Sequence, residues 1–341
     1  MTIKKISLRF IASIALIILG YSTTASAMTI TPVRYEVKGN PGETLVQKMT
    51  IINEDSIPVT YYSSFTNFEA QGETGSASFV APKDDIGTWI KTIDSVTLSP
   101  GEQKTVDFTI NIPMNAEPGG HFGVVFWGTS PENGADGKQL SVSAKTGLLV
   151  LLSVNGYVKE GGGLLDFITK DNQFWYNTLP VSFVYRFKND GGDRVKPVGK
   201  IRISNTLFIP TKRFDANPVN GNILPASTRK FTTDWVISPL PKDELFPTGV
   251  FKSFVCKVVY QWKNFAVGLY SAHLNITYGS SGQVAKKTVF FFVFPWQLLI
   301  CLAILFIFVF FSGKKLVVSY NNYIIKKAHS SLVKPEDASH V

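Results

Sequence analysis

Eight stretches of this chain carry one pattern, apolar and polar residues alternating with a period of two: "TLVQKMTIIN", "KTVDFTINIP", "VSFVYRFKN", "GKIRISN", "RKFTTDWVI", "FVCKVVYQW", "AHLNITYG" and "KKTVFFFVF". Successive side chains of an extended strand point to opposite faces, so such a pattern sorts into one apolar and one polar face only as a strand. The runs are rich in Val, Ile, Thr, Phe and Tyr, and clusters of Pro, Gly and Asn divide them at intervals that suit an antiparallel sandwich. No helix is expected before the apolar segment near the C-terminus, and the expected class is all-β.

Two features divide this β region. In "NGYVKEGGGLLDF", residues 155–167, three consecutive glycines and two charges interrupt the strand pattern and read as a flexible connector. A degenerate repeat flanks it: "VTLSPGEQKTVDFTINIP" followed by "EPGGHFGVVFW" in the first half, "GNILPASTRKFTTDWVI" followed by "FPTGVFKSFVCKVVY" in the second. Upstream of each lies a strand running into a turn, "MTIINEDSIPV" and "YRFKNDGGDRVKPVG". The expected architecture is two tandem Ig-like β-sandwich domains, residues 28–158 and 159–294, followed by one transmembrane α-helix.

The ends of the chain read differently. Lys4, Lys5 and Arg9 precede the apolar "FIASIALIILG" and the triplet Ala25-Ser26-Ala27, the layout of a secretory signal peptide over residues 1–27. Near the other end, twelve of the fourteen residues from Leu298 to Phe311 are Leu, Ile, Val or Phe. At about −0.4 kcal/mol each, these favour bilayer insertion by about −5 kcal/mol. The expected span is 295–313, with Trp296 as an interfacial aromatic. Lys314 and Lys315 open a basic tail, 314–341, that the positive-inside rule places in the cytoplasm. The expected localisation is therefore the cell membrane, single-pass, with the N-terminal domains extracellular.

The net charge of +9 hides an asymmetry: residues 28–158 hold 8 Lys and Arg against 14 Asp and Glu, residues 159–294 hold 18 against 9. A basic domain next to a bilayer suits anionic headgroups or an anionic wall polymer, and export excludes nucleic acid as a partner. Of the two cysteines, Cys301 lies in the expected span, which leaves Cys256 no ectodomain partner for a disulfide. In the alternating "SFVCKVVY" it reads as a buried strand residue.

Motifs that carry chemistry are sparse. His121 in "PGGHFGVVFWG" occupies the repeat position that Val250 fills in "PTGVF", so it reads as part of a pleated surface and not as a base. His273 lies in an alternating run, and the acidic "NEDS" at 53–56 and "KDDIGTW" at 83–89 read as turns. No metalloprotease, paired-cysteine or nucleophile-elbow pattern is present. The expectation is a protein that is not an enzyme, with no catalytic, metal or cofactor site. Two clusters are candidate contacts. Phe174, Trp175 and Tyr176 are consecutive, and a strand buries at most alternate members of such a run, which makes them ligand or interdomain contacts. Arg194, Lys196, Lys200 and Arg202 fall at even spacing, so an extended chain projects them from one face toward an anionic surface.

In its order of segments, with "LSPGEQKTVDFTINIP" and "PGGHFGVVFW" in the first β-domain, "ILPASTRKF" in the second, one span and a lysine-rich tail, the chain resembles the WxL-interacting proteins of Gram-positive cell surfaces. That resemblance implies a first domain associated with peptidoglycan and a second with a WxL-type surface protein. The segment "ITPVRYEVKGNPGETLVQKMTIINEDSIPVTYY" also looks like the opening of a periplasmic pilus chaperone. The expected function is thus a single-span surface protein that binds a cell-wall polymer and a partner surface protein. An envelope assembly or secretion component with chaperone-like β-domains, whose edge strands accept a partner strand, is the alternative, and a cell-envelope hydrolase a more distant one.

Overall fold

The computed structural model describes residues 28–131, 144–207, 209–238 and 249–332. The expected signal peptide and the last residues of the expected tail lie outside them. The first half of the chain forms β1 (Met28–Thr31), β2 (Arg34–Gly39), β3 (Thr44–Asn53), β4 (Val59–Gln71), β5 (Ser76–Val80), α1 (Ile86–Trp89), β6 (Ile90–Lys91), β7 (Ser95–Leu98), β8 (Gln103–Asn111), β9 (Gly119–Gly128) and β10 (Lys145–Val154). The second forms β11 (Gly162–Thr169), β12 (Trp175–Tyr176), β13 (Val181–Asn189), β14 (Val198–Asn205), β15 (Pro210–Asp215), β16 (Ser227–Trp235), α2 (Val250–Lys263), β17 (Gly268–Tyr278), β18 (Gln283–Val293) and α3 (Trp296–Leu332).

The strands make four sheets. The first two have the orders β1-β3-β8-β6 and β2-β10-β9-β4-β5, with β7 also on β4; the others have the orders β11-β13-β16 and β12-β18-β17-β14-β15. The second pair repeats the order of the first, β11-β13-β16 for β1-β3-β8 and β12-β18-β17-β14-β15 for β2-β10-β9-β4-β5, down to one parallel contact in each, β2 with β10 and β12 with β18; β6 and β7 have no counterpart among the described residues. The fold is two tandem Ig-like sandwiches followed by one apolar helix.

Alternation explains the cores. Met49 and Ile51 of β3 and Val106, Phe108 and Ile110 of β8 are buried, and the polar residues between them face solvent. They pack in one cluster with Val125, Trp127, Leu148, Val150 and Leu152 from β9 and β10. In the second sandwich the core is aromatic. Phe183 of β13 and Trp235 of β16 meet Phe291 of β18 at ring separations of 5.4 and 5.9 Å, and Tyr270 of β17 stacks on Phe291 at 5.7 Å. Each such burial contributes about 1.5–3 kcal/mol.

By packing, the chain divides into two compact units. Unit 1 comprises Met1–Gly163, Phe187–Lys196 and Asn222–Arg229, and unit 2 comprises Leu164–Arg186, Pro197–Gly221 and Lys230–Val341. Glu36 of β2 helps hold the returning stretches in unit 1: it accepts from Lys196 Nζ at 2.7 Å and Asn222 Nδ2 at 2.9 Å, and pairs with Arg34 Nε at 3.0 Å. Burial opposes its charge, but these donors outweigh burial and hold the carboxyl below its ordinary value.

Three expectations change. The region before the apolar helix contains helices: α1, and α2 where "FVCKVVYQW" read as a strand, so Cys256 is a half-buried helical residue. Consequently Val250 starts a helix and is not the counterpart of His121. By topology β9 corresponds to β17, and α2 belongs to an insertion before β17, since β8 and β9 are joined by residues 112–118 but β16 and β17 by residues 236–267. The glycines at 161–163 serve close packing and not a loose linker: Gly161 accepts from Asp190 N at 3.2 Å, and a Cβ on Gly162, at φ 105°, would collide with the Lys188 carbonyl.

Candidate functional site

The β12-β18-β17-β14-β15 sheet, in unit 2, presents an edge strand, β18, that is largely unpaired on its outer side among the described residues. In the first sandwich β2 covers β10 along Leu149–Val154. Its counterpart β12 covers only Phe292 and Val293 of β18. Phe292 N and Phe294 N donate outward across this edge, to Phe174 O at 2.7 Å and Tyr176 O at 2.8 Å. Main-chain groups alternate sides along a strand, so those of Phe290, Thr288, Lys286 and Val284 also point outward, and no strand pairs with them among the described residues. Such an edge is a template for another strand.

The outer face of the same sheet is cationic. Register places Arg213, Arg202, His273 and Thr288 side by side on four adjacent strands, and Asp215, Lys200, Asn275 and Lys286 in the next row. Neighbouring strands lie about 4.8 Å apart, so the two arginines are direct neighbours, an arrangement that costs stability unless an anion lies between them. Lys200 has Asp215 at 3.8 Å. His273 hydrogen-bonds Ser271 Oγ at 3.0 Å and Thr288 Oγ1 at 2.8 Å. Lys200, Arg202, Arg213, His273, Lys286 and Thr288 line one shallow groove.

The four evenly spaced cations do not form one face. Arg194 belongs to unit 1, with its side chain 11% exposed, 3.8 Å from Asp193 and donating to Ser153 Oγ at 2.7 Å, and Lys196 is spent on Glu36. Only Lys200 and Arg202 stand on the basic face of unit 2, where strand pairing adds Arg213 and Lys286. Sequence reasoning missed these two because the cross-strand register that joins them is non-local; the alternation in "TKRFD" and "AKKTVF" was the available signal. Of the aromatic run, Trp175 is 66% exposed and Phe174 also exposed, whereas Tyr176 is half-buried. Trp175 lies 4.8 Å from Phe292, beside the covered end of the edge. Trp296 opens α3; Lys314 and Lys315 lie within that helix, which runs on to Leu332, and Lys314 sits 4.7 Å over the Phe310 ring.

No family model matches the chain, and no curated protein matches it. Among solved structures it is similar to the class 5 fimbriae chaperone CfaA, at 13% identity and a TM-score of 0.36, over 79% of this chain and 100% of that one. The CsuC–CsuE chaperone–tip adhesion subunit pre-assembly complex from the archaic chaperone-usher Csu pili of Acinetobacter baumannii matches at 13% identity and a TM-score of 0.30, over 60% of this chain and 90% of that one. The E. coli chaperone DraB matches at 10% identity and a TM-score of 0.31, over 79% and 97%.

Unit 1 holds a second polar cluster. His121 Nδ1 lies 2.6 Å from Asp85 Oδ1, Nε2 lies 2.8 Å from Glu117 O, and the ring is 4.7 Å from that of Trp89. Burial opposes its charge, but Asp85 and the Glu117 carbonyl outweigh burial and raise its pKa. Asp85 also caps α1 through Ile86 N at 2.7 Å. His121 is thus more than part of a pleated surface: it fastens a helix to β9. Both ring nitrogens are engaged within unit 1, and no group of three metal-ligating side chains occurs among the described residues.

Proposed function

We propose that this chain is a membrane-anchored surface component of envelope assembly that holds a partner protein by taking one of its strands onto the open edge of β18. The uncovered stretch of β18 from Gln283 to Phe291 carries this reading. Main-chain pairing supplies affinity and is insensitive to sequence, so selection falls to side chains. Lys286, with Lys287 on the opposite face donating to Leu165 O at 3.2 Å, disfavours indiscriminate pairing and favours a partner strand bearing Asp or Glu. Val284 and Phe290 offer apolar contacts on either side of Lys286. The role is binding, not catalysis, and the WxL-interacting resemblance points to the same kind of partner, a surface protein.

The cationic groove favours a second reading, retention of an anionic wall polymer against Lys200, Arg202, Arg213 and Lys286. One experiment separates the two. A photo-crosslinking residue at Lys286, Thr288 or Phe290 in the native membrane is expected to give a discrete protein adduct, lost when Thr288→Pro removes one outward N–H. With the same residue placed at Arg202 or Arg213, adducts only from those positions, and to polymer, would favour the second reading; no adduct at any edge position would end the first.

A further inference from the structure

Helix α2 has no counterpart in the first sandwich, and one exposed stripe of it is apolar. Phe251, Val255, Val259 and Trp262 follow one another at intervals of four, four and three residues and so share one stripe; they are 81%, 43%, 48% and 64% exposed. At 100° per residue, Lys252 and Lys263 fall beside that stripe and Lys257 on the other side of the helix, and "VFKSFVCKVVYQWK" contains no acidic residue. In water, a stripe of this composition is the wrong way out.

The position of α2 identifies what covers it. Its last turn is joined to the first turn of α3: Gln261, buried, donates through Nε2 to Gln297 Oε1 and accepts from Leu298 N at 2.9 Å. Gln261 also donates to Asn177 O at 3.3 Å, so the junction is fixed to the sandwich as well. Among the described residues α3 is the one helix long and apolar enough to cross a membrane. The exposed stripe therefore starts where the span does. An apolar stripe bordered along one side by lysines at that level fits the boundary between headgroups and acyl chains: the apolar side chains enter the boundary while the ammonium groups of Lys252 and Lys263 reach back to lipid phosphates.

We propose that α2 is an in-plane membrane helix whose stripe of Phe251, Val255, Val259 and Trp262 is buried in the outer leaflet beside the span, so that unit 2 is held to the bilayer by two elements and cannot swivel freely on one. The inference rests on the membrane-anchored reading of the preceding section, and the test separates the two.

The full-length protein, with Cys256→Ser and Cys301→Ser, is reconstituted into phosphatidylcholine vesicles containing phosphatidylglycerol. Single cysteines at 253, 255, 257, 259 and, within α3, 306 then carry a nitroxide. Collision with oxygen, which partitions into lipid, is compared with collision with a water-soluble nickel chelate. Labels at 255 and 259 are expected to favour oxygen, as the label at 306 does, and those at 253 and 257 to favour nickel. An aqueous signature at 255 and 259 with a lipid signature at 306 overturns the proposal and leaves the anchor standing. Immobilised labels at 255 and 259 that meet neither reagent place a protein partner or a second copy on the stripe, and also overturn it. An aqueous signature at 306 overturns the anchor and the proposal together.

Discussion

Two buried asparagines do the same work in the two halves of the chain. Asn53 ends β3 and donates through Nδ2 to Leu98 O at 3.0 Å and Ser99 O at 3.1 Å, while its Oδ1 accepts from Asp55 N and Tyr61 Oη. Asn189 ends β13, the topological counterpart, and donates to Ile223 O at 2.9 Å and Asp193 O at 2.8 Å while accepting from Gly191 N. Both are fully buried and satisfied on every side, so either change to Ala strands several polar groups at once. Asn53→Ala and Asn189→Ala are each expected to destabilise by about 2–3 kcal/mol, and the corresponding Asp variants to recover part of it by keeping the acceptor. Denaturant unfolding of the full chain in detergent checks this; a change under about 0.5 kcal/mol would show the bonds to be incidental.

At the level of elements, the clamp on α1 depends on a titratable group. The pKa of His121 is raised by folding, so the charged pair with Asp85 contributes its full stability below the unfolded value of about 6.5 and loses it as pH rises through the folded value. The melting temperature of the full chain is expected to exceed that of His121→Gln most at pH 6 and least at pH 9. Asp85→Asn should lower the midpoint of the His121 proton resonance in an NMR titration; an unchanged midpoint would assign the shift to another group. The edge of β18 and the stripe of α2 are also element-scale features, each made by a departure of the second sandwich from the first: β12 is shorter than β2, and the link before β17 is longer than the one before β9.

For the whole molecule, the proposed orientation has the sandwiches outside and the lysines of α3 inside. Protease added to intact cells should then remove the β-domains and spare a tag fused after Val341. Loss of the tag would reverse the orientation, and with it the leaflet in which α2 is expected.

Period-two alternation and one long apolar run belong to contiguous residues, so the all-β class, the tandem pattern and a candidate spanning helix were legible without coordinates. Even the shared asparagine could be seen, as the last residue of the strand in "MTIIN" and "RFKN". What stayed hidden involves residues far apart in sequence. Whether Arg194 and Lys196 are free cations depends on Ser153 and Glu36, which lie some 40 and 160 positions away. Whether "FVCKVVYQW" is a strand or a helix is undecidable locally, because a short apolar run satisfies both periods; the strands of the second sandwich are already complete without it, and that leaves it as a helix. Whether β18 has a covered edge depends on the length of a strand more than a hundred residues earlier, since pairing of strands from different parts of the chain is decided by tertiary packing and by nothing within the strand itself.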